Sequence, residues 1–195
     1  MRGRLMSTSA LLIGFAFLYV PILSMVVFSF NNSRLVTVWD AQNSPTLKWY
    51  QALFSNEQIL GAAWLSIKIA AMTASIAVVL GTLAGLVLAR FGPFKGRTLL
   101  SGMTTAPLVM PEVITGLSLL LLFVAINFDR GFWTVTLAHT TLTMCFVAVV
   151  VQSRLAGFDQ SLEEAALDLG ARPAKVFFRI TLPLIVPAIM SGWLL

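Results

Sequence analysis

Residues 164–170 read Glu-Ala-Ala-Leu-Asp-Leu-Gly, and residues 180–183 read Ile-Thr-Leu-Pro. These stretches form a charged, turn-bearing segment in a chain that is otherwise mostly apolar, since 58% of its 195 residues are hydrophobic and only 11% are charged. A soluble domain of this length needs more charge to cover its surface, so the composition predicts an all-α, multi-pass membrane protein. The charged segment is therefore expected to lie outside the bilayer.

Long apolar runs lie on the N-terminal side of this segment. A helix needs about 20 residues to cross a hydrocarbon core of about 30 Å, and four runs qualify: 11–30, 59–89, 99–128 and 132–151. A fifth run begins near Leu182 and is too short to cross before Leu195, which predicts a chain truncated within its fifth helix. The first run exceeds the apolar core of a signal peptide and ends in no small-residue cleavage site, so we expect it to be retained.

These runs predict two regions. Residues 1–58 are expected to hold the first transmembrane helix and an external loop, and residues 59–195 a transmembrane domain with the polar segment at 158–183. Residues 47–50 are expected to form either a short helix on the membrane surface or part of an ordinary loop.

Lys and Arg are distributed unevenly between the two sides of the predicted bundle. Three lie on one side, at Arg34, Lys48 and Arg130. Nine lie on the side of the N-terminus and the 158–183 segment: Arg2, Arg4, Arg90, Lys95, Arg97, Arg154, Arg172, Lys175 and Arg179. The positive-inside rule therefore predicts that the N-terminus and this segment are cytoplasmic. Because the charges form no aromatic-interleaved stripe, the net charge of +5 does not indicate nucleic-acid binding.

A carboxylate lies within the third run, at Glu112, one residue after Pro111. Placing a carboxylate at this depth costs about 3 kcal/mol, so such a group normally faces a cavity, a partner or water. Pro107 and Pro111 each remove a backbone donor, and helices broken in this way line cavities or pack against protein. We expect Glu112, Pro111 and Thr115 either to line a path for cationic cargo or to have a structural role, with Glu112 paired to a cation or capping the next helix.

Three other residues in the runs have ordinary explanations. Lys68 is expected to extend towards the outer boundary, and Cys145 to be a small buried hydrophobe. His139 is expected to hydrogen-bond to a neighbouring helix, because the sequence has no second His for a metal site. No catalytic residue and no metal are predicted.

The polar segment itself predicts a helix, a turn and a second helix. Ser161 and Glu164 have the spacing of a capping box. Gly170 suits the left-handed turn that ends a helix, and Pro173 suits the first turn of the next one. Leu162, Ala165, Ala166 and Leu169 would form one apolar face, which a helix this short must bury against its own protein or a cytoplasmic partner.

The spacing of this segment resembles the EAA loop of the permeases of ATP-binding-cassette importers. The residues that carry the match are Glu164, Ala165, Ala166, Gly170, Ile180, Leu182 and Pro183. The resemblance covers essentially the whole chain, although such permeases usually have six helices. Residues 29–39 and 107–120 further resemble the putrescine permeases of bacterial polyamine importers.

The resemblance implies a type I permease of the bacterial inner membrane, with those seven residues coupling it to a cytoplasmic ATPase dimer. It also implies a second permease subunit, a periplasmic polyamine-binding protein and surrounding lipid as partners. The permease itself would bind no cofactor, because ATP would be bound by the ATPase. The glycine-bearing residues 92–98 are consistent with the absence of an ATP site, since they lack the Gly-Lys-Ser/Thr of a phosphate loop. The alternatives are a permease for another small solute, an ion-gradient-driven transporter, a membrane enzyme or a non-functional remnant.

Overall fold

The computed structural model describes residues 2–35 and 37–195, with side chains from Ser7 onward. Val36, within one of the stretches that carry the resemblance, lies outside the described residues, as do the side chains of Arg2 and Arg4 from the charge count. The described chain is helical, as the composition predicts. Its elements are α1 (Arg2–Phe28), α2 (Lys48–Phe54), α3 (Glu57–Arg90), α4 (Arg97–Val109), α5 (Glu112–Ala125), α6 (Phe132–Ala156), α7 (Ser161–Asp168), α8 (Pro173–Val176), a π-helical segment (Phe177–Thr181) and α9 (Leu182–Leu194).

The chain divides into two compact units, Met1–Trp64 and Leu65–Leu195. The first contains α1, whose apolar side chains from Leu11 to Val26 are largely exposed, as expected of a helix that faces lipid. A loop organised by buried Asn31 follows it. The Asn31 Nδ2 donates to the Val38 carbonyl at 2.6 Å, and the Asn31 carbonyl accepts from Trp49 Nε1 at 2.8 Å. These bonds hold the loop to α2. Residues 48–54 form a short helix, the first of the two alternatives expected for this stretch.

The helices of the described residues agree with three of the five predicted apolar runs. Four are long and apolar enough to cross a membrane, Ser7–Phe28, Glu57–Arg90, Phe132–Ala156 and Pro173–Leu194, and a bent pair makes up to five. The first three of these helices correspond to predicted runs. The other two predicted runs require correction.

The predicted third span is not one helix. It consists of α4 and α5, which are bent by 116° relative to each other. The break falls at Met110, whose extended backbone (ψ 141°) is the conformation that a residue before proline prefers. Pro107 lies inside α4 without ending it, so Pro111 is the residue that coincides with the break.

The predicted fifth helix begins earlier than Leu182. Pro173–Leu194 forms one apolar helical stretch of 22 residues, which is long enough to cross. The sequence predicts that this apolar run begins near Leu182, as a helix separate from the one that begins at Pro173. In the structure, the wider π-helical turn of Phe177–Thr181 ends two residues before Pro183, and the helix continues past this proline.

The core of the second unit lies where α6 meets its neighbours. Val147, Val151, Leu155 and Ile185 are buried there and form one apolar cluster. Gly81 and Gly85, on α3, allow close approach, since a Cβ at Gly81 would lie 2.6 Å from the Met144 carbonyl oxygen. Small residues spaced four apart commonly permit such packing between membrane helices. Cys145 is fully buried on α6, as predicted.

Candidate functional site

The start of α7 differs from the predicted capping box. Gln160, rather than Ser161, occupies the N-cap position, and its side chain makes no capping hydrogen bond. Asp159 instead accepts the Ser161 backbone N–H on Oδ1 at 3.0 Å. Hydrogen bonds from the Ser161 backbone and side chain hold the pKa of the Asp159 carboxyl below its ordinary value. The capping prediction was wrong because Ser161 already belongs to the first turn.

The end of α7 follows the prediction closely. Gly170 has a φ of +81°, in the left-handed region that favours glycine. Its N–H donates to the Leu167 carbonyl at 2.8 Å, and the Ala171 N–H donates to the Ala166 carbonyl at 3.0 Å. This pair of bonds is the Schellman arrangement, which satisfies two of the free carbonyls at a helix end. α8 then begins at Pro173, also as predicted.

The apolar face of α7 stays open in the described structure. Leu162 is 51% exposed and Leu169 is 89% exposed. Ala165 is exposed and Ala166 is half-buried between them. A helix of eight residues does not hold its shape in water by itself, and this face buries little of its surface within the chain. The face therefore has the character of an interface.

The remaining residues of the predicted coupling set lie at the junction with the last helix. Ile180 is in the π-helical segment and Leu182 begins α9, and both are half-buried. Leu182 packs against the Val147 cluster, whereas Pro183 is exposed. The junction thus connects the polar segment directly to the apolar core.

Glu163 is a contact residue that the sequence analysis did not single out. Its Oε2 lies 3.3 Å from the Arg90 Nε, at the end of α3. Its Oε1 accepts a hydrogen bond from Thr181 Oγ1 at 2.5 Å. Glu164, which the spacing emphasised, is exposed. No signal within a single sequence distinguishes two adjacent glutamates, because the distinction depends on which one faces the bundle.

Glu112 begins α5, directly after the break. It forms no ion pair with any residue that the structure describes, and no side chain caps this helix end. Its carboxylate does lie in the first turn, where the helix dipole favours negative charge. Thr115 has a buried Oγ1 without a hydrogen-bond partner among the described residues. Neither structural explanation of Glu112, a cationic partner or a side-chain cap, is seen in the described chain.

A cavity of about 400 Å³ brings Glu112 together with residues of α6. Its other lining residues are Gly116, Leu119, Ala138, His139, Leu142, Thr143, Phe146 and Leu195. A second cavity of about 410 Å³ shares His139 and Thr143 and extends along α3 to Thr73 and Ala74. The predicted hydrogen bond from the His139 ring to a neighbouring helix is not present among the described residues. The ring instead lines both cavities.

Comparison with known proteins identifies the family. A model of the family described as "Binding-protein-dependent transport system inner membrane component" matches residues 77–195. The chain belongs to this family. The permease is thus a multi-pass inner-membrane protein and a transport subunit of an ATP-binding-cassette importer. Its identity as a transport subunit agrees with the prediction that it is not an enzyme.

Two curated relatives from Escherichia coli K12 are similar over almost the whole permease. The putrescine transport system permease protein PotI is 55% identical over 95% of this chain and 67% of its own length. The spermidine/putrescine transport system permease protein PotC is 38% identical over all of this chain and 72% of its own length.

A solved structure shares the fold. It is the crystal structure of a bacterial transporter of the ATP-binding-cassette class involved in the import of the acidic polysaccharide alginate, with a TM-score of 0.71 and 19% sequence identity. The match covers 97% of the permease and 71% of the matched chain. At this level of identity the likeness concerns the helical architecture alone, and it agrees with the type I permease fold predicted from the sequence.

Proposed function

We propose that the permease carries putrescine or a closely related polyamine across the inner membrane. Both relatives named above carry polyamine names, whereas the alginate transporter has the same architecture and an anionic cargo. The scaffold therefore does not select the cargo by itself, and in this proposal the chemistry of the cavity favours a cation.

The observation that carries the proposal is the cavity at the helix break. A polyamine has ammonium groups separated by methylene chains. Glu112 offers a carboxylate that pairs with no cation of the described residues. Phe146 adds an aromatic side chain to the lining, and aromatic rings attract ammonium groups. Leu119 and Leu142 offer apolar contacts to the methylene chain. In this proposal Glu112, Pro111 and Thr115 line the translocation path, with Pro111 creating the break that opens it.

The permease is driven, in the same proposal, by a separate cytoplasmic ATPase dimer that docks on α7. The exposed Leu162 and Leu169 support this role, because an apolar face on a short helix needs a partner to cover it. Glu164, Ala165, Ala166 and Gly170 form the docking element, and Ile180, Leu182 and Pro183 connect it to the last helix. ATP is bound by the ATPase, and the permease binds no cofactor itself.

The remaining partners follow from the same assignment. A second permease subunit completes the path, a periplasmic polyamine-binding protein delivers the cargo, and lipid covers the outer apolar surfaces. The N-terminus lies in the cytoplasm, on the side of α7.

Reconstitution of the complete transporter in proteoliposomes tests the proposal. Labelled putrescine should enter only when ATP is present on the ATPase side and the binding protein is present on the opposite side. Excess unlabelled diamine should suppress uptake, whereas the matching uncharged diol should not, because it offers no cation to Glu112. Uptake that needs neither ATP nor the binding protein would contradict the importer mechanism, and equal suppression by the diol would contradict the cationic site.

A further inference from the structure

One carboxylate joins three separate elements at one end of the second unit. Glu163, on α7, lies 3.3 Å from Arg90 at the end of α3 and accepts a hydrogen bond at 2.5 Å from Thr181 in the π-helical segment. The side chains of Arg90 and Glu163 are only 15% and 18% exposed, and Thr181 is 5% exposed. An ion pair shielded from water is screened less by salt than a surface pair, and the hydrogen bond that Thr181 donates to the Glu163 carboxylate is charge-assisted.

The Arg90 side chain also contacts the turn that leads into α7. Its guanidinium lies over the Phe158 ring, 5.3 Å from the ring centre, in the turn that leads into α7. The end of α3 is also tied to α4, since Arg97 Nη2 donates to the Leu88 carbonyl at 2.8 Å. A displacement of α7 would therefore act on the end of α3 through the Arg90 side chain.

The contact with Thr181 falls on an unusual backbone element. Phe177–Thr181 is a π-helical turn, and single π turns within α-helices occur frequently at functional sites. A π turn holds one residue more than an α turn, so a change between the two shifts the register of everything that follows. Here Ile185 follows, with its side chain in the apolar core against Val147 and Val151.

The two adjacent glutamates of α7 face different surroundings. Consecutive helical residues are separated by about 100° around the axis. Glu163 faces the bundle and is partly buried, whereas Glu164 is exposed beside the open apolar face. Glu164 is therefore open to a docked protein, whereas Glu163 already contacts Arg90 and Thr181 and moves with α7.

We propose that Glu163 is a positioning residue that transmits movement of α7 to α3 through Arg90 and to the last helix through Thr181. This inference rests on the proposed function, in which an ATPase docks on α7. It assigns energy transmission to a side chain that does not contact the docked ATPase. Docking and transmission are therefore separable by mutation.

The test uses the complete transporter with its ATPase, second permease and binding protein. Glu163→Gln keeps an acceptor for Thr181 but removes the charge that Arg90 meets. The ATPase should still co-purify with the variant, with its affinity changed less than about twofold. Putrescine uptake per ATP hydrolysed should fall by at least about fivefold, the lower end of typical coupling between two sites.

Further variants separate a shared contact from a general loss of structure. Arg90→Gln should resemble Glu163→Gln, and the double variant should be no worse than the poorer single variant, because both remove the same interaction. Thr181→Val should lower the uptake per ATP hydrolysed, because it removes the hydroxyl that donates to Glu163. Thr181→Ser keeps that hydroxyl and should keep the ratio normal. This second pair decides the test if Glu163→Gln fails to assemble.

Asp129→Asn serves as the matched control. It makes the same carboxylate-to-amide change in an exposed loop at the opposite end of α6, and it should leave coupling unchanged. A normal ratio in Glu163→Gln and Thr181→Val would overturn the inference, as would a loss of ATPase binding that accounts for the whole loss of uptake. If the wild-type complex shows no ATP-driven uptake, the result contradicts the proposed function, and with it the inference that rests on that function.

Discussion

At the scale of single residues, the polar side chains of this permease are divided between the bundle interior and the surface. Glu163 contacts Arg90 and Thr181 inside, and Glu164 is exposed outside. Glu112 is unpaired within the described chain and lines a cavity. Unpaired charge within a membrane protein is costly, and its retention usually marks a functional site.

Glu112→Gln tests the role of that charge in transport. The amide has nearly the shape of the carboxylate but cannot form an ion pair with an ammonium group. A charge-assisted contact contributes about 1.5–3 kcal/mol, so uptake of putrescine below saturation should fall by about tenfold or more. Glu57→Gln, at the start of α3, is the control and should transport normally. Unchanged uptake in Glu112→Gln would exclude Glu112 from the path.

Gly170→Val tests the turn that ends α7. At a φ of +81° a branched side chain meets strain of about 1–2 kcal/mol. The strain should loosen the Schellman turn and disorder the docking face beside it. Co-purification of the ATPase should weaken, or uptake per ATP should fall. Gly92→Val is the control, because a Cβ there meets nothing within 4 Å and its φ lies outside the left-handed region. Equal behaviour of the two variants would contradict a special role for this turn.

At the scale of elements, the described chain departs from regular α-helix at two places, and each lies beside a residue with a proposed role in transport or coupling. The bent pair of α4 and α5 places Glu112 at a break, and the π-helical turn places Thr181 next to Glu163. The second unit also has contacts between regular helices. Its contacts include a hydrogen bond of 3.3 Å from Trp193 Nε1 on α9 to Ser75 Oγ on α3.

Gly81→Leu tests the close packing of α3 on α6. A Cβ at Gly81 would lie 2.6 Å from both the Met144 carbonyl oxygen and the Val147 Cβ, so the helices must separate. Overpacking of this kind costs about 1–3 kcal/mol, and the midpoint of thermal unfolding in detergent should fall by several degrees. Gly61→Leu on the same helix meets nothing within 4 Å and should have little effect. Similar midpoints for both variants would show that the helices adapt.

At the scale of the whole molecule, the positions of two basic residues in the bundle agree with the sidedness predicted from the sequence. The contact between Arg90 and Glu163 brings the end of α3 and the polar segment to one end of the second unit. Arg154, at the end of α6, donates to the Leu184 carbonyl at 3.2 Å at the start of the last helix. Two of the nine basic residues counted on one side of the membrane, Arg90 and Arg154, therefore lie at the same end of the bundle.

Cysteine labelling tests the orientation of that end. Cys145 is buried, so a membrane-impermeant maleimide should react poorly with the unmodified permease. Gln42→Cys, in the loop before α2, should be labelled in spheroplasts. Lys95→Cys, between α3 and α4, should be labelled only after lysis, because the positive-inside rule places it in the cytoplasm. The reverse pattern would invert the proposed topology.

Local signals in the sequence predicted much of this arrangement. The apolar runs located the long helices, and Gly170 and Pro173 determined the turn between α7 and α8, because these residue types restrict φ directly. Local signals were less reliable at Ser161 and at the start of the last helix. At each position a neighbouring feature, the Asp159 carboxylate or the π-helical turn, changed the outcome.

The sequence by itself determined that this chain is a helical membrane protein of a known importer family and where its polar segment lies, because composition, spacing and turn chemistry act over a few residues. Only the tertiary structure decided which of two adjacent glutamates faces Arg90, that the third span turns through 116°, and that Glu112 shares a cavity with His139. Each of these depends on contacts between residues far apart in the chain. Periodicity within one segment carries no information about the element against which that segment will pack.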